Sequence, residues 1–307
     1  MNPPLRLGTR KSLMATTQSQ LVADLLTRRT GRAVELVGVT TEGDASTAPL
    51  AQLGGTGVFV NGLRDRLLRG EIDFAVHSLK DLPTAPAEGI ALAAVPVRDD
   101  PRDCLCGEPG RTVKLADLPA GARIGTGSPR RMAQLRALRA DLDIVPIRGN
   151  ADTRLRKVAE GEVDAVVLAF AGLTRIGRLD AVAEILEPDQ MLPAPGQGAL
   201  AVECRVDRMD LRTLLGTLDD PETRAAVTAE RTVLAVLEAG CSAPVGAYAA
   251  QEDQSLYLTA TVVGHDGIRQ VRLSTSGHPS RAEELGRDLA ARLLAEGADQ
   301  LMGERAH

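Results

Sequence analysis

The chain has 307 residues, 44% hydrophobic and 25% charged, an ordinary globular composition with more length than one hydrophobic core usually fills, so two or three domains are expected. With 36 Lys and Arg against 41 Asp and Glu (net −5), three Phe, two Tyr and no Trp, it lacks both the positive field and the stacking platforms of a nucleic-acid binder. No apolar run approaches the roughly 18 residues of a membrane helix, and Met1 to Arg6 lacks the plan of a signal peptide, so a cytoplasmic location is expected.

In chain order, short aliphatic runs alternate with amphipathic stretches of helical period, the pattern of α/β units. Leu5 to Gly8 predicts a strand, Ser12 an N-cap, and residues 13–29 a helix with Leu21, Val22, Leu25 and Leu26 on its apolar face, ended by Gly31. Val34 to Val39 predicts a strand, 41–57 a long loop, 58–69 a helix and Ile72 to Val76 a strand. The grammar returns with strands at 123–125, 144–147 and 163–168 and helices at 128–139 and 152–160. The repeat is visible in letters. Leu7-Gly8-Thr9 matches Ile124-Gly125-Thr126, and Gly70-Glu71-Ile72-Asp73 matches Gly161-Glu162-Val163-Asp164. Two similar α/β lobes with a cleft between them are the simplest reading.

Past Leu192-Pro193-Ala194-Pro195-Gly196-Gln197-Gly198 the pattern changes, and Ala199 to Val202 reads as a crossover back to the first lobe. A helix over 221–238, strands near 244–250, 256–263 and 268–275, and a helix over 281–295 suit a small α+β domain with an antiparallel sheet. The expected domains are residues 1–98 with 198–217, residues 99–197, and residues 218–307. The four cysteines have no His at zinc-ligand spacing, so neither metal nor disulfide framework is expected. Cys104, Cys106 and Cys204 read as packing residues, and His77 is given no chemical role.

The sharpest signal is where cations sit. In Gly127-Ser128-Pro129-Arg130-Arg131, Ser128 suits the N-cap and Pro129 the first helical position, which places two arginines in the first turn. There they oppose the helix dipole and cost about 0.3–1 kcal/mol each unless an anion neutralises them. On that argument, loss of Arg131 leaves the fold no less stable. Arg148-Gly149-Asn150-Ala151-Asp152-Thr153-Arg154, capped by Asn150 or Asp152, and Thr9-Arg10-Lys11-Ser12 repeat the arrangement. Residues 123–157 hold eight Arg and one Lys against three Asp, a local net of +6. Three cationic helix starts at strand ends predict a polyanionic ligand. Lys80 and Asp81 follow the strand ending at Val76, either as ligand-binding groups or as a structural ion pair. Cys241 lies among small residues after Gly240, with room to react or else as a small buried hydrophobe.

These segments resemble the hydroxymethylbilane synthase (porphobilinogen deaminase) family across essentially the whole chain. They are Thr9-Arg10-Lys11-Ser12, Ala75 to Pro83, Asp100-Pro101-Arg102-Asp103, Gly125 to Arg131, Arg148-Gly149-Asn150, Ala171-Gly172-Leu173, Pro195 to Ala199, and Glu230-Arg231 to Gly240-Cys241. The resemblance implies two lobes like type II periplasmic binding proteins and a third domain carrying one cysteine. It implies a transferase that deaminates four porphobilinogen molecules and joins them on a dipyrromethane cofactor, itself a thioether of Cys241. Asp81 would meet the pyrrole N–H groups and the cationic azafulvene formed as ammonia leaves. Lys80, Ser128, Arg130, Arg131 and Arg148 would hold the cofactor, and Arg10, Ser12, Arg148, Arg154 and Arg175 the substrate, with Arg6 a weaker candidate. The substrate is the expected partner of a monomeric chain that takes neither nucleic acid nor membrane. Gln52, Thr56 and Asn61-Gly62 depart from the family's usual lysines and Lys-Glu, and Ser12-Leu13-Met14 from its usual Ser-Pro-Leu. The competing reading is a two-lobed binding or sensing protein for small polyanions with an inert Cys241.

Overall fold

A computed structural model describes residues 3–39, 57–110, 112–240 and 243–303, with 57–59 described by backbone alone. Cys241, Gln52, Thr56 and all but the last residue of the loop expected at 41–57 lie outside the described residues. The chain divides into two compact units, Met1–Asp99 with Ala199–Arg224, and Asp100–Gly198 with Ala225–His307.

In the first unit, β1 (Leu5–Arg10), α1 (Leu13–Thr30), β2 (Val34–Val39), α2 (Gly57–Leu68) and β3 (Phe74–Ser78) follow the predicted order, and β4 (Ile90–Ala94) comes after a short 3-10 turn at Leu79–Asp81. The run beginning at Ala199 becomes β10 (Leu200–Arg205), which joins this sheet antiparallel between β3 and β4, giving the order β2-β1-β3-β10-β4. α1 and α6 (Met209–Gly216) cover one face, where Leu7, Leu26, Phe74, Val202 and Leu215 pack. On the other face Leu63 and Leu67 of α2 meet Ile72 and Ala75. Such two-sided burial is why these strands read as nearly continuous apolar runs.

The second unit contains β5 (Asp103–Cys106), β6 (Arg123–Thr126), α3 (Pro129–Leu138), β7 (Asp143–Pro146), α4 (Ala151–Ala159), β8 (Ala165–Ala169), α5 (Phe170–Arg175) and β9 (Val182–Leu186). Its sheet order, β7-β6-β8-β5-β9, repeats that of the first with β5 as the antiparallel insert. The same unit holds α7 (Pro221–Val236, from Ala225 on), a three-stranded antiparallel sheet of β11 (Val245–Glu252), β12 (Ser255–Val263) and β13 (Gln270–Gly277), then α8 (Ala282–Ala295) and α9 (Ala298–Leu301). Leu256, Leu258, Ala260 and Val262 of β12 point inward onto Val233 of α7 and Leu289 and Leu293 of α8, while Tyr257 is exposed. The fold is thus mixed α/β with two matching lobes and a small antiparallel domain. Among the described residues no helix is long and apolar enough to cross a membrane.

The letter repeat has a packing cause. A Cβ on Gly8 would stand 2.3 Å from Ile72 Cδ1, and one on Gly125 would stand 2.7 Å from Ile147 Cδ1, so each glycine admits an isoleucine against its strand. The ion pairs repeat too. Arg6 binds Asp73 through its backbone N–H (2.8 Å) and Nη2 (3.0 Å) and donates to Gly70 O; Arg123 binds Asp164 likewise (2.7 and 2.9 Å) and donates to Gly161 O. Arg6 therefore closes the start of β1, at the opposite end from Arg10. Its expected role as a weaker ligand candidate gives way to this structural one.

Candidate active site

Three helix starts lie at the C-terminal ends of parallel strands, where α/β sheets gather ligand groups. Ser12 caps α1, its Oγ accepting from Ala15 N at 3.4 Å, and Arg10 stands half-buried at the end of β1. Ser128 caps α3 and accepts from Arg131 N at 3.5 Å. Asn150, rather than Asp152, caps α4, its Oδ1 accepting from Thr153 N at 2.9 Å, while Asp152 is paired with Arg178.

Arg130 and Arg131 do not wait for an external anion. Both are buried, and both converge on Asp103 at the start of β5, which is fully enclosed. Arg131 donates to Asp103 Oδ1 from Nη2 (2.7 Å) and Nε (3.1 Å), and Arg130 Nη1 lies 2.8 Å from Oδ2. Burial pushes the Asp103 carboxyl up, but the charges and hydrogen bonds of the two arginines outweigh it and hold the group far below the usual carboxylate range. Gln197 adds a third donor at 2.9 Å and also reaches Pro101 O, fastening the loop before β10 to the same point. The dipole argument is corrected here. Arg131 does not strain an uncompensated helix start; it is half of a buried ion network, and its loss would leave Asp103 underpaired. One donor stays over: Arg130 Nε is buried with no hydrogen-bond partner among the described residues.

The α4 start is different. Arg148 is exposed and Arg154 half-buried, and neither meets a carboxylate among the described residues. Arg154 Nε donates to Gly149 O at 2.9 Å, and burial, then repulsion from Arg131, lower its pKa. A Cβ on Gly127 would stand 2.6 Å from Ile147 O and 3.9 Å from Arg154 Nη2, so a bare glycine brings the guanidinium close to the α3 start. The α3 N-terminus and the Arg154 guanidinium thus lie close together, with Arg148 exposed two residues before the α4 cap. At the end of α5, Arg175 Nη2 donates to Gly198 O at 2.6 Å.

In the first unit, Lys80 and Asp81 occupy the 3-10 turn after β3. Leu79 and Leu82 are buried on either side of them, and Leu79 N donates to Ala199 O at 3.0 Å. Two apolar anchors thus hold a two-residue display. Lys80 is half-buried and Asp81 exposed, and the Asp81 carboxylate has no hydrogen-bond or ion-pair partner among the described residues.

Sequence reasoning missed Asp103 and Gln197 as organisers. The available signal was an aspartate opening an apolar strand while two arginines elsewhere required an anion.

Comparison with known proteins agrees with this chemistry. The family model described as "porphobilinogen deaminase, dipyromethane cofactor binding domain" matches residues 5–213, and that of the porphobilinogen deaminase C-terminal domain matches residues 224–295. The chain is 61% identical to porphobilinogen deaminase of Thermobifida fusca over 99% of its length and 97% of the relative's. It is 58% identical to porphobilinogen deaminase 1 of Streptomyces coelicolor, over 98% of each. Solved structures resemble it less: the Bordetella pertussis BvgS VFT2 domain (double mutant) is 17% identical with a TM-score of 0.43, covering 71% of this chain and 87% of that one. The chain belongs to the porphobilinogen deaminase family, with a dipyrromethane cofactor.

Proposed function

We propose that Asp81 is the carboxylate at which porphobilinogen reacts and that Cys241 carries the cofactor as a thioether, in a transferase that deaminates four porphobilinogen molecules and joins them head to tail into hydroxymethylbilane. The observation that carries the division of labour is the pair of uncompensated arginines at the α4 start, set against the compensated pair at α3. Acetate- and propionate-bearing pyrroles suit Arg148, Arg154, Ser128 and the spare Nε of Arg130, with Arg131 reaching a ligand only alongside Asp103. Lys80, Arg10, Ser12 and Arg175 take further carboxylates. When bound, the cofactor supplies a pyrrole primer whose free end is extended.

Ammonia would leave the substrate's aminomethyl carbon, and the cofactor, when bound, would supply the pyrrole position that takes this carbon and gives up a proton. Asp81, whose carboxyl group is unengaged among the described residues, accepts the pyrrole N–H and faces the positive charge that grows as ammonia departs, an interaction stronger in the transition state than in the ground state. A cytoplasmic, monomeric chain, and the three expected domain ranges, belong to the same proposal.

The test is intact mass and turnover of the purified protein. A dipyrromethane adduct absent from Cys241→Ser, with activity lost, is expected. Asp81→Asn should keep the adduct and lose about a hundredfold in kcat. An unmodified wild-type chain, or full activity in Cys241→Ser, would defeat the proposal.

A further inference from the structure

A charged cluster in the first unit takes no part in the chemistry above. Glu203 on β10, Arg64 on α2 and His77 on β3 meet inside the unit, with Glu203 and His77 buried. Arg64 grips the carboxylate with two donors, Nη2 to Oε1 at 2.7 Å and Nε to Oε2 at 3.0 Å, and His77 Nε2 stands 3.2 Å from Oε2. Burial raises the Glu203 carboxyl, but the His77 ring against it and the hydrogen bonds and charge of Arg64 outweigh burial and hold the group below the ordinary carboxylate range. A buried ion cluster is seldom more stabilising than apolar residues of the same volume, so stability alone is a poor reason for it.

Its location supplies a better one. His77 pairs in register with Ala201 and Ser78 with Leu200. Successive side chains of a strand point to opposite faces: His77 turns toward α2 and Glu203, whereas Ser78 turns toward α1, where Gln18 Nε2 donates to its Oγ at 2.9 Å. The last two residues of β3 are therefore tied on both faces, immediately before the turn that presents Lys80 and Asp81. The Leu79 bond to Ala199 O adds a third tie, made to the approach of the strand that bears Glu203.

We propose that Glu203, oriented by Arg64 and acting through His77, is a positioning residue for the Lys80–Asp81 turn. This rests on the reading of Asp81 given above. Apolar side chains would fill the space, but a carboxylate clamped by two Arg64 donors fixes where the His77 ring rests, 3.2 Å from it, and with it the strand exit.

The test is a kinetic cycle on the holoenzyme with Glu203→Gln, Asp81→Asn and the double variant, each checked for adduct by intact mass and for thermal midpoint. Glu203→Gln is expected to keep the adduct and a KM within about twofold while kcat falls about tenfold, less than the hundredfold that an ångström of misplacement can cost. In the Asp81→Asn background the same change should lower kcat by less than about twofold, because the group it positions is gone. Arg64→Gln leaves the carboxylate and His77 in place, should lower kcat about threefold by loosening the same constraint, and keeps the question open to measurement if Glu203→Gln does not fold. Wild-type kcat with only a lowered midpoint, or equal losses with and without Asp81, would overturn the proposal and leave the reading of Asp81 standing. Full kcat in Asp81→Asn would overturn that reading and this proposal with it.

Discussion

The starts of α3 and α4 follow neighbouring parallel strands, each is capped by a polar side chain, and each carries two arginines close to the helix N-terminus. At α3 the arginines are buried on Asp103; at α4, Arg148 and Arg154 meet no carboxylate among the described residues. Cations at the positive end of a helix dipole thus establish that an anion is needed, and say nothing of where it comes from. At α3 the anion is part of the fold. At α4 no described residue supplies it, and under the proposed function a ligand would, so that one sequence signature would serve architecture in one place and recognition in the other.

The largest effect expected from breaking this contrast is that of Asp103→Asn. It leaves two buried guanidiniums without their counter-charge and should cost about 3–5 kcal/mol in denaturant unfolding, measured in the Cys241→Ser background so that cofactor loading does not intrude. Next come Arg148→Leu and Arg154→Leu. Under the proposed function each would remove a charge-assisted bond to a ligand carboxylate, about 1.5–3 kcal/mol, so kcat/KM or cofactor retention should fall roughly ten- to hundredfold with stability unchanged within about 0.5 kcal/mol.

Acid sharpens the same contrast. Asp103 has its carboxyl held down in the folded state, so its stabilisation is complete above the unfolded value near 3.9 and is lost as pH falls below that value through the folded one. Stability should therefore slope downward below about pH 4, and Asp103→Asn should flatten that slope. The smallest effect belongs to the repeated pairs. Arg6→Ala and Arg123→Ala break partly exposed bridges and should each cost less than about 1 kcal/mol, and Arg6→Ala should leave kcat unchanged.

Much of this was legible in advance because it is local. Ser12 and Ser128 announce their helices, Gly31 ends one, and the paired Leu7-Gly8-Thr9 and Ile124-Gly125-Thr126 announce the repeated lobe. What escaped was non-local. Asp103 is remote in sequence from both arginines it serves, and Glu203 from Arg64 and His77, so only the sheet order brings them together. Arg6 and Arg10 share a strand, and only register shows that one sits at its closed start and the other at its open end. β4 is a five-residue apolar run without β-branched enrichment beyond Ile90, too short for its period to declare a strand, and β9 is broken by Glu184, so neither carried a decisive pattern.

The most direct measurement compares Arg131→Leu with Arg154→Leu, reading unfolding free energy in the Cys241→Ser background and adduct retention with turnover in the otherwise wild-type chain. Arg131→Leu should unfold more easily by about 3 kcal/mol, since it leaves a buried carboxylate underpaired, whereas Arg154→Leu should keep its stability and lose function. Equal stability in both variants, or a destabilised Arg154→Leu with normal turnover, would contradict the assignment of one helix start to the fold and the other to the ligand.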